Sequence, residues 1–354
     1  MPDQFRPLLL YDQKWWDEDT DYALQQYCNY SLFVDTPRYA NLIQTVGNTT
    51  KLVEIFFCVV PIIFMPFALV VNTLFIVLVI SRIRRGTVSP NYYLFLVNRS
   101  FSDNLTAFCY FFLPVARYAQ AVGAQLFVMM HGFFTVSNFC LVGFTYLALA
   151  AQTAVAIYKP LFHRSRVSAT TVIFVLAVAW LISLFFAFLT TGLTGNLLVP
   201  HAVNHSDHCS MEPCESVLSW MGFGMASVCY LGAPIVYILA LVRLHRQKRE
   251  NQYPGKKLWH FWKLAINLLV YAVFCLPTVF LSAVVLSGLV QDNGHSEICL
   301  GAEDAKKRAQ LWMLTVSSFC VWYIRMICDP IMNTLLDPNL RQVVQHIALP
   351  SVSR

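Results

Sequence analysis

The sequence predicts an all-α membrane protein: a seven-transmembrane helix bundle with a short amphipathic eighth helix. Three observations carry that prediction. First, hydrophobic residues make up 57% of the chain and charged residues only 12%, with a mean hydropathy of +0.55. A soluble domain carries about 25% charged residues, so a surface of the usual water-facing kind cannot be built here. Second, seven apolar stretches run at 55–81, 92–116, 125–157, 168–194, 217–242, 259–290 and 309–336. Each exceeds the roughly 20 residues with which a helix crosses about 30 Å of hydrocarbon. Third, positive charge is lopsided about those stretches. With the amino terminus outside, the inner loops and tail hold 14 Lys and Arg, the outer loops 4 and the amino-terminal segment another 4. Such an excess marks the cytoplasmic side. The expected topology is amino terminus out and carboxyl terminus in, at the plasma membrane. The net charge of +6 is mostly this bias, so it gives no support to nucleic-acid binding; the partner implied is the lipid bilayer.

Three regions follow: an extracellular segment (1–53), the seven-span domain (54–336), and an amphipathic helix with a short cytoplasmic tail (337–354). The opening MPDQFRPLLLYDQKWWDED has no uninterrupted apolar core. It does not read as a cleaved signal peptide, which makes the first span an uncleaved anchor. DEDTD (17–21) beside Trp15, Trp16 and Tyr22 reads either as a docking site for a basic peptide or as a solvated leader. The sequons at Asn29, Asn48 and Asn204 all fall on the expected outer side. Those at Asn98 and Asn104 sit inside a span, where glycosylation is not expected. Of 11 cysteines, Cys28, Cys209, Cys214 and Cys299 are expected outside, an even number in an oxidising compartment. The other seven lie in spans, as small apolar thiols.

Behind the seventh span the chain reads LLDPNLRQVVQHI. Asp337 is placed to cap a helix that Pro338 begins. Leu340, Val343, Val344 and Ile347 then share one face, so the helix is expected along the inner membrane surface.

One polar or helix-bending residue marks most spans. They are Asn72 in ALVVNTLFIVLVI, Asp103 in LVNRSFSDNL, Trp180 in VLAVAWLI, Pro234, Pro277 in VFCLP, and DPIMN (329–333), which contains Pro330. In that order, and followed by the amphipathic helix, they resemble the rhodopsin-like (class A) G-protein-coupled receptors over residues 55–348. The resemblance implies a seven-helix receptor for an extracellular ligand, coupled to a heterotrimeric G protein. Several positions depart from the family pattern. Asp-Arg-Tyr is replaced by Gln152-Thr153-Ala154, so Thr153 stands where the G-protein-contacting arginine is expected. Cys275 replaces the toggle tryptophan, and Asn333 replaces the tyrosine closing Asn-Pro-x-x-Tyr. Val128 stands near the cysteine that usually tethers the second outer loop. Cys209 and Cys214 must then pair with each other or with Cys28 and Cys299, and four cysteines allow three connectivities. Divergence of this extent resembles an invertebrate chemosensory branch.

Arg325 and Asp329 are four apart and share a helix face, as are Arg99 and Asp103. Charge at the bilayer centre costs at least about 2.5–3.5 kcal/mol, and arginine cannot shed its proton. Two Arg and two Asp sum to zero, which suggests one neutral intramembrane cluster. In the family, the second-helix aspartate binds sodium; here Arg325 stands at a seventh-helix partner position and Val142 at the third-helix serine. Arg325 would then supply the positive charge. The alternatives are an Arg99 that snorkels to the cytoplasmic face and an Arg325 that pairs with Asp329 alone.

The resemblance places the ligand among helices 3, 5, 6 and 7. Thr135 replaces the aspartate of amine receptors and Tyr323 the lysine of opsins, which argues against both ligand classes. The candidate lining is Thr135, Phe139, Tyr230, Thr278, Ser282, Phe319, Trp322 and Tyr323. This mostly aromatic set fits an uncharged small molecule or a peptide tip. His131 is expected at the interface rather than on a metal. On the inner face, Leu161 matches the loop residue that enters the G protein, and RLHRQKRENQYPGKK (243–257) reads as topology signal, lipid contact or transducer contact. There is no HExxH and no Gly-rich phosphate loop, so no enzyme, metal or cofactor is expected. Two rival readings stand beside the receptor. One is a non-signalling scaffold or scavenger, because Thr153 replaces the arginine. The other is a transporter using the charge cluster, though no inverted repeat accompanies it.

Overall fold

The computed structural model describes residues 55–119, 121–122, 124–198, 211–249, 258–291 and 302–342. The segment 1–53 lies outside the described residues, with Cys28, Asn29 and Asn48; so do Asn204, Cys209 and Cys299, and the side chains of Val128, Cys214 and Ser282. The described residues are helical, with no strand among them. A π-helical turn, Ile55–Val59, leads into α1 (Val60–Arg84). Then come α2 (Pro90–Tyr118), α3 (Ala124–Tyr158), the short α4 (Pro160–Arg166) and α5 (Ala169–Leu198). The last three are α6 (Met211–Arg249), α7 (Leu258–Gln291) and α8 (Ala302–Leu336).

Local chemistry sets several of these boundaries. Proline at the first position of α2 and of α4 pre-sets φ where the missing N–H costs nothing. At the far end of α1, Gly86 adopts φ +66, a left-handed conformation that only glycine takes freely. That turn lets Gly86 N–H reach Ile83 O (3.0 Å) and Thr87 N–H reach Arg82 O (3.2 Å). The two bonds close α1 by satisfying its last carbonyls.

Among the described residues, five helices are long and apolar enough to cross a membrane: Ile55–Arg84, Met129–Tyr158, Ala169–Thr191, Trp220–Arg246 and Trp262–Leu281. The other two expected spans, in α2 and α8, have the length (29 and 35 residues) but a more polar composition. Asn98, Arg99, Asp103 and Asn104 dilute α2; Arg325, Asp329 and Asn333 dilute α8, which also opens on AEDAKKR. Among the described residues, length and composition alone therefore support five of the seven expected spans.

Packing places α3 at the centre, against α2, α5 and α6. Around it α1 packs on α2 and on α8, and α7 packs on α6 and on α8, which closes the ring of helices. The apolar residues left uncovered form stripes. Ile63, Phe67, Val70, Leu74 and Val77 recur every three or four residues on α1 and are exposed, as are Phe174, Leu181, Phe185 and Phe188 on α5. A continuous exposed apolar surface of this extent suits hydrocarbon rather than water. The architecture is that of a multi-pass membrane protein in contact with lipid.

The end of α8 takes the form its sequence predicts. Asp337 Oδ1 accepts the Asn339 N–H at 3.0 Å, the backbone is helical over 338–342, and Leu340 is buried among Phe75, Val79, Val88, Tyr93 and Leu96. Val343, Val344 and Ile347 lie outside the described residues. Cys109, Cys140, Cys229, Cys275, Cys320 and Cys328 form no disulfide.

Candidate functional site: a buried charge cluster

Pro330 carries no N–H, so the carbonyl of Met326, one turn earlier in α8, has no donor within its own helix. Asn72 of α1 fills that place. Its Nδ2 donates to Met326 O at 2.8 Å and to Ala68 O, in its own helix, at 2.9 Å. This bond sets α1 against the stretch of α8 that bears Arg325 and Asp329.

Arg325 is fully buried, at 0% exposure. Its Nη1 donates to Asp329 Oδ2 at 2.9 Å and its Nη2 to Asp103 Oδ1 at 2.5 Å, so one guanidinium bridges α8 and α2. The same Nη2 reaches Asn138 Oδ1 of α3 at 3.0 Å. Asn138 in turn donates to Asp103 Oδ1 and to Ser102 Oγ, both at 2.9 Å. The Trp322 indole N–H completes Asn138 Oδ1 at 3.0 Å, and the Trp322 ring lies 4.0 Å from the Arg325 guanidinium carbon, a cation–π contact.

Arg99 is the second cation of the cluster and is 2% exposed. Its Nε lies 3.5 Å from Asp329 Oδ2, and its Nη1 donates to the hydroxyl of Tyr146 on α3. Burial at this level rules out the snorkelling alternative. Arg325 also does more than pair with Asp329, because its shortest contact crosses to Asp103. The four charges sum to zero, which is the condition for keeping two arginines out of water. Asn333 extends the polar strip by donating to Asp329 O at 2.7 Å and accepting from Asn267 of α7 at 2.8 Å. Four helices thus meet on one neutral network. Among the described residues no group of His, Cys, Asp and Glu could hold a metal ion.

No family model and no curated protein matches the chain. Its chemistry is therefore read from these contacts.

Seven of the eight candidate ligand residues have described side chains, and their contacts are as follows. Phe139 and Trp322 face each other at 5.5 Å, and the Trp322 indole belongs to the charge cluster. Thr278 shares a hydrogen bond with Ser318 at 3.0 Å. Tyr230, on α6, packs against the main apolar core. Thr135 bonds Tyr110 and donates to His131 O at 2.7 Å. Phe319 and Tyr323 line a common cleft. His131 is buried, with aromatic rings around it.

The remaining named positions are accounted for as follows. Trp180 donates to Asn98 Oδ1 at 2.8 Å, tying α5 to α2. Pro234 and Pro277 lie inside α6 and α7. Thr153 turns its hydroxyl back onto Leu149 O at 2.8 Å. Leu161 is 84% exposed on α4.

Sequence reasoning passed over Asn138, Tyr146, Asn267 and Lys263. The first three carry no charge and no motif. Lys263 lies in an apolar stretch, and its partner is 74 residues away. Its Nζ meets Asp337 Oδ2 at 2.5 Å, and Tyr93 of α2 donates to the same oxygen. The ammonium also sits 4.8 Å from the Tyr92 ring centre. This second, smaller polar node joins α7, α2 and the turn after α8.

Proposed function

We propose that the chain is a seven-helix plasma-membrane receptor that couples an external chemical signal to a heterotrimeric G protein. In this reading α2 and α8 also cross the bilayer, with their charges turned inward, and the amino terminus is extracellular. One observation carries the proposal: positions that bear the family resemblance converge. Asn72 bonds the carbonyl that Pro330 leaves open, and Asp103 and Asp329 share Arg325. In this reading the neutral polar network is the element whose arrangement would change. Signalling would be a shift in population between helix arrangements, driven by differential ligand affinity. An invertebrate chemosensory role is the finer reading of the same resemblance.

The test is ligand-dependent guanine-nucleotide exchange on a purified heterotrimer, with the chain in membranes and a screen of small neutral odorants and peptides. Exchange that rises with a ligand supports the receptor. A second reading, a non-signalling scaffold or scavenger, is favoured by Thr153, whose hydroxyl is spent on its own helix. Thr153→Arg separates the two: the receptor reading expects basal or ligand-driven exchange to rise. Unchanged exchange in both the native and the Thr153→Arg chain leaves the scaffold.

A further inference from the structure

We propose that the chain binds a small neutral molecule with one hydroxyl on an apolar ring, of the phenol class, between the Ile55–Val59 turn, α2, α3 and α8. The place shares α3, α8, Phe319 and Tyr323 with the lining that the resemblance implies, and adds α2 and the turn in place of α6 and α7. It deepens the receptor reading by naming a ligand class, and its test does not depend on signalling.

Five aromatic rings from four elements close a circuit there. Phe57 of the π-helical turn meets His131 of α3 edge-on at 5.6 Å. His131 stacks on Tyr110 of α2 at 4.9 Å, and Tyr110 meets Tyr323 of α8 at 5.5 Å. Tyr323 meets Phe319 at 6.2 Å, and Phe319 returns to Phe57 at 5.1 Å. A shallow surface cleft without enclosed volume adjoins the circuit, with Phe57, Phe319 and Tyr323 among its walls.

Among the described residues, two polar atoms in this circuit have no hydrogen-bond partner although their residues are each only 2% exposed. One is the Tyr323 hydroxyl. The other is His131 Nε2. His131 Nδ1 lies 3.3 Å from Phe127 O, and a carbonyl can only accept, so Nδ1 carries the proton in the neutral ring. Nε2 is then a bare acceptor. Buried groups of this kind are hydrogen-bonded in nearly all native proteins. A tyrosine hydroxyl can donate and Nε2 can accept, so a hydroxyl on a ligand can answer either one.

The surroundings define the rest of the ligand. Among the described residues no carboxylate, lysine or arginine acts on His131, Tyr110 or Tyr323. An ion would lose its hydration without a counter-charge, whereas an aromatic ring gains edge and face contacts. The circuit is closed in this structure. Its two half-buried members, Phe57 and Phe319, are the rings whose displacement would admit a ligand. Phe57 stands on a π-helical turn, a helix form that recurs at functional sites.

The test uses the full chain in lipid nanodiscs, with 4-fluorophenol, 4-fluorotoluene and 4-fluorobenzoate followed by fluorine NMR and empty nanodiscs as the partition control. The expected result is saturable binding of 4-fluorophenol, with 4-fluorotoluene about 3- to 10-fold weaker and 4-fluorobenzoate not bound. Tyr323→Phe removes a hydroxyl that bonds nothing among the described residues, so the variant is expected to fold, and the phenol preference falls by a similar factor. His131→Phe should abolish the preference. Equal binding of phenol and toluene, or a preference that survives both substitutions, overturns the proposal and assigns the two atoms to buried water. Binding without any nucleotide exchange would retire the receptor reading and leave this site standing.

Discussion

A guanidinium inside a helix bundle cannot escape burial by losing its proton, so the partners of Arg325 decide whether it is tolerated. Asp103, Asp329, Asn138 and the Trp322 face occupy most of its surface. Arg325→Met leaves two aspartates against Arg99 alone, and breaking a buried pair from one side costs about 3–5 kcal/mol. The expected outcome is a clearly lower thermal midpoint in detergent. Arg325→Met combined with Asp329→Asn restores neutrality and should recover much of the loss. Equal damage from the single and the double change would show that the two are not partners. The same geometry predicts how sodium acts. With Arg325 already on Asp103 Oδ1 at 2.5 Å, exchanging sodium for choline at matched ionic strength should leave the midpoint of the native chain unchanged. In the double variant Asp103 loses that guanidinium, and a sodium effect becomes possible. A sodium effect on the native chain would mean that Arg325 points elsewhere. The pairing was half legible in the sequence. Spacing of four puts Arg325 beside Asp329, and charge balance suggests Asp103. Asn138 and Tyr146 were not legible, because an uncharged side chain on α3 reveals its partners only once the rotations of three helices are known.

Helices are joined at both polar nodes by residues that would otherwise disrupt them. Pro330 opens a carbonyl that Asn72 closes, which makes α1 and α8 register with each other. Asp337 does two jobs at the end of α8: it caps the next helix through Asn339, and it holds Lys263 of α7. The cap was legible from the Asp-Pro pair alone, since capping is local. The ion pair was not, since nothing near Lys263 in the chain names its partner. Burial, the largest influence on Asp337, favours the neutral acid. The Lys263 ammonium and the hydrogen bonds from Lys263, Tyr93 and the Asn339 N–H outweigh it, so the carboxyl is held below its ordinary value. A carboxyl depressed by folding stabilises the fold above its unfolded pKa, near 3.9, and that stability drains away as pH falls through the lower folded value. The native chain should therefore lose stability on acidification below about pH 4, and Asp337→Asn should flatten that part of the profile. Lys263→Met should lower stability at neutral pH by about 1–3 kcal/mol and weaken amide-exchange protection over 338–342. Intact protection there would show that the cap alone holds the turn.

At the scale of the whole molecule, burial is inverted along the outer stripes. Phe67 and Leu74 on α1 are 63% and 64% exposed, a placement that a water-soluble protein rarely extends over several helices. The two solvents predict opposite responses to charge. In water, replacing an exposed apolar side chain by a charged one changes stability within about ±0.5 kcal/mol. In hydrocarbon, each lysine or arginine near the centre of a span costs about 2.5–3.5 kcal/mol. Phe67→Lys together with Leu74→Arg should therefore sharply reduce the yield of folded, monodisperse protein recovered from membranes. Leu161→Arg is the matched control. Leu161 is still more exposed, but it sits on the short α4 outside the apolar stripes, beside Arg164 and Arg166. That substitution should leave yield unchanged. If the α1 pair is tolerated as well as Leu161→Arg, the stripes do not face lipid, and the membrane reading fails with them. If α1 alone is sensitive, the same pair of charges placed on Leu181 and Phe188 of α5 decides whether the apolar surface continues around the bundle, as the exposure of both helices implies.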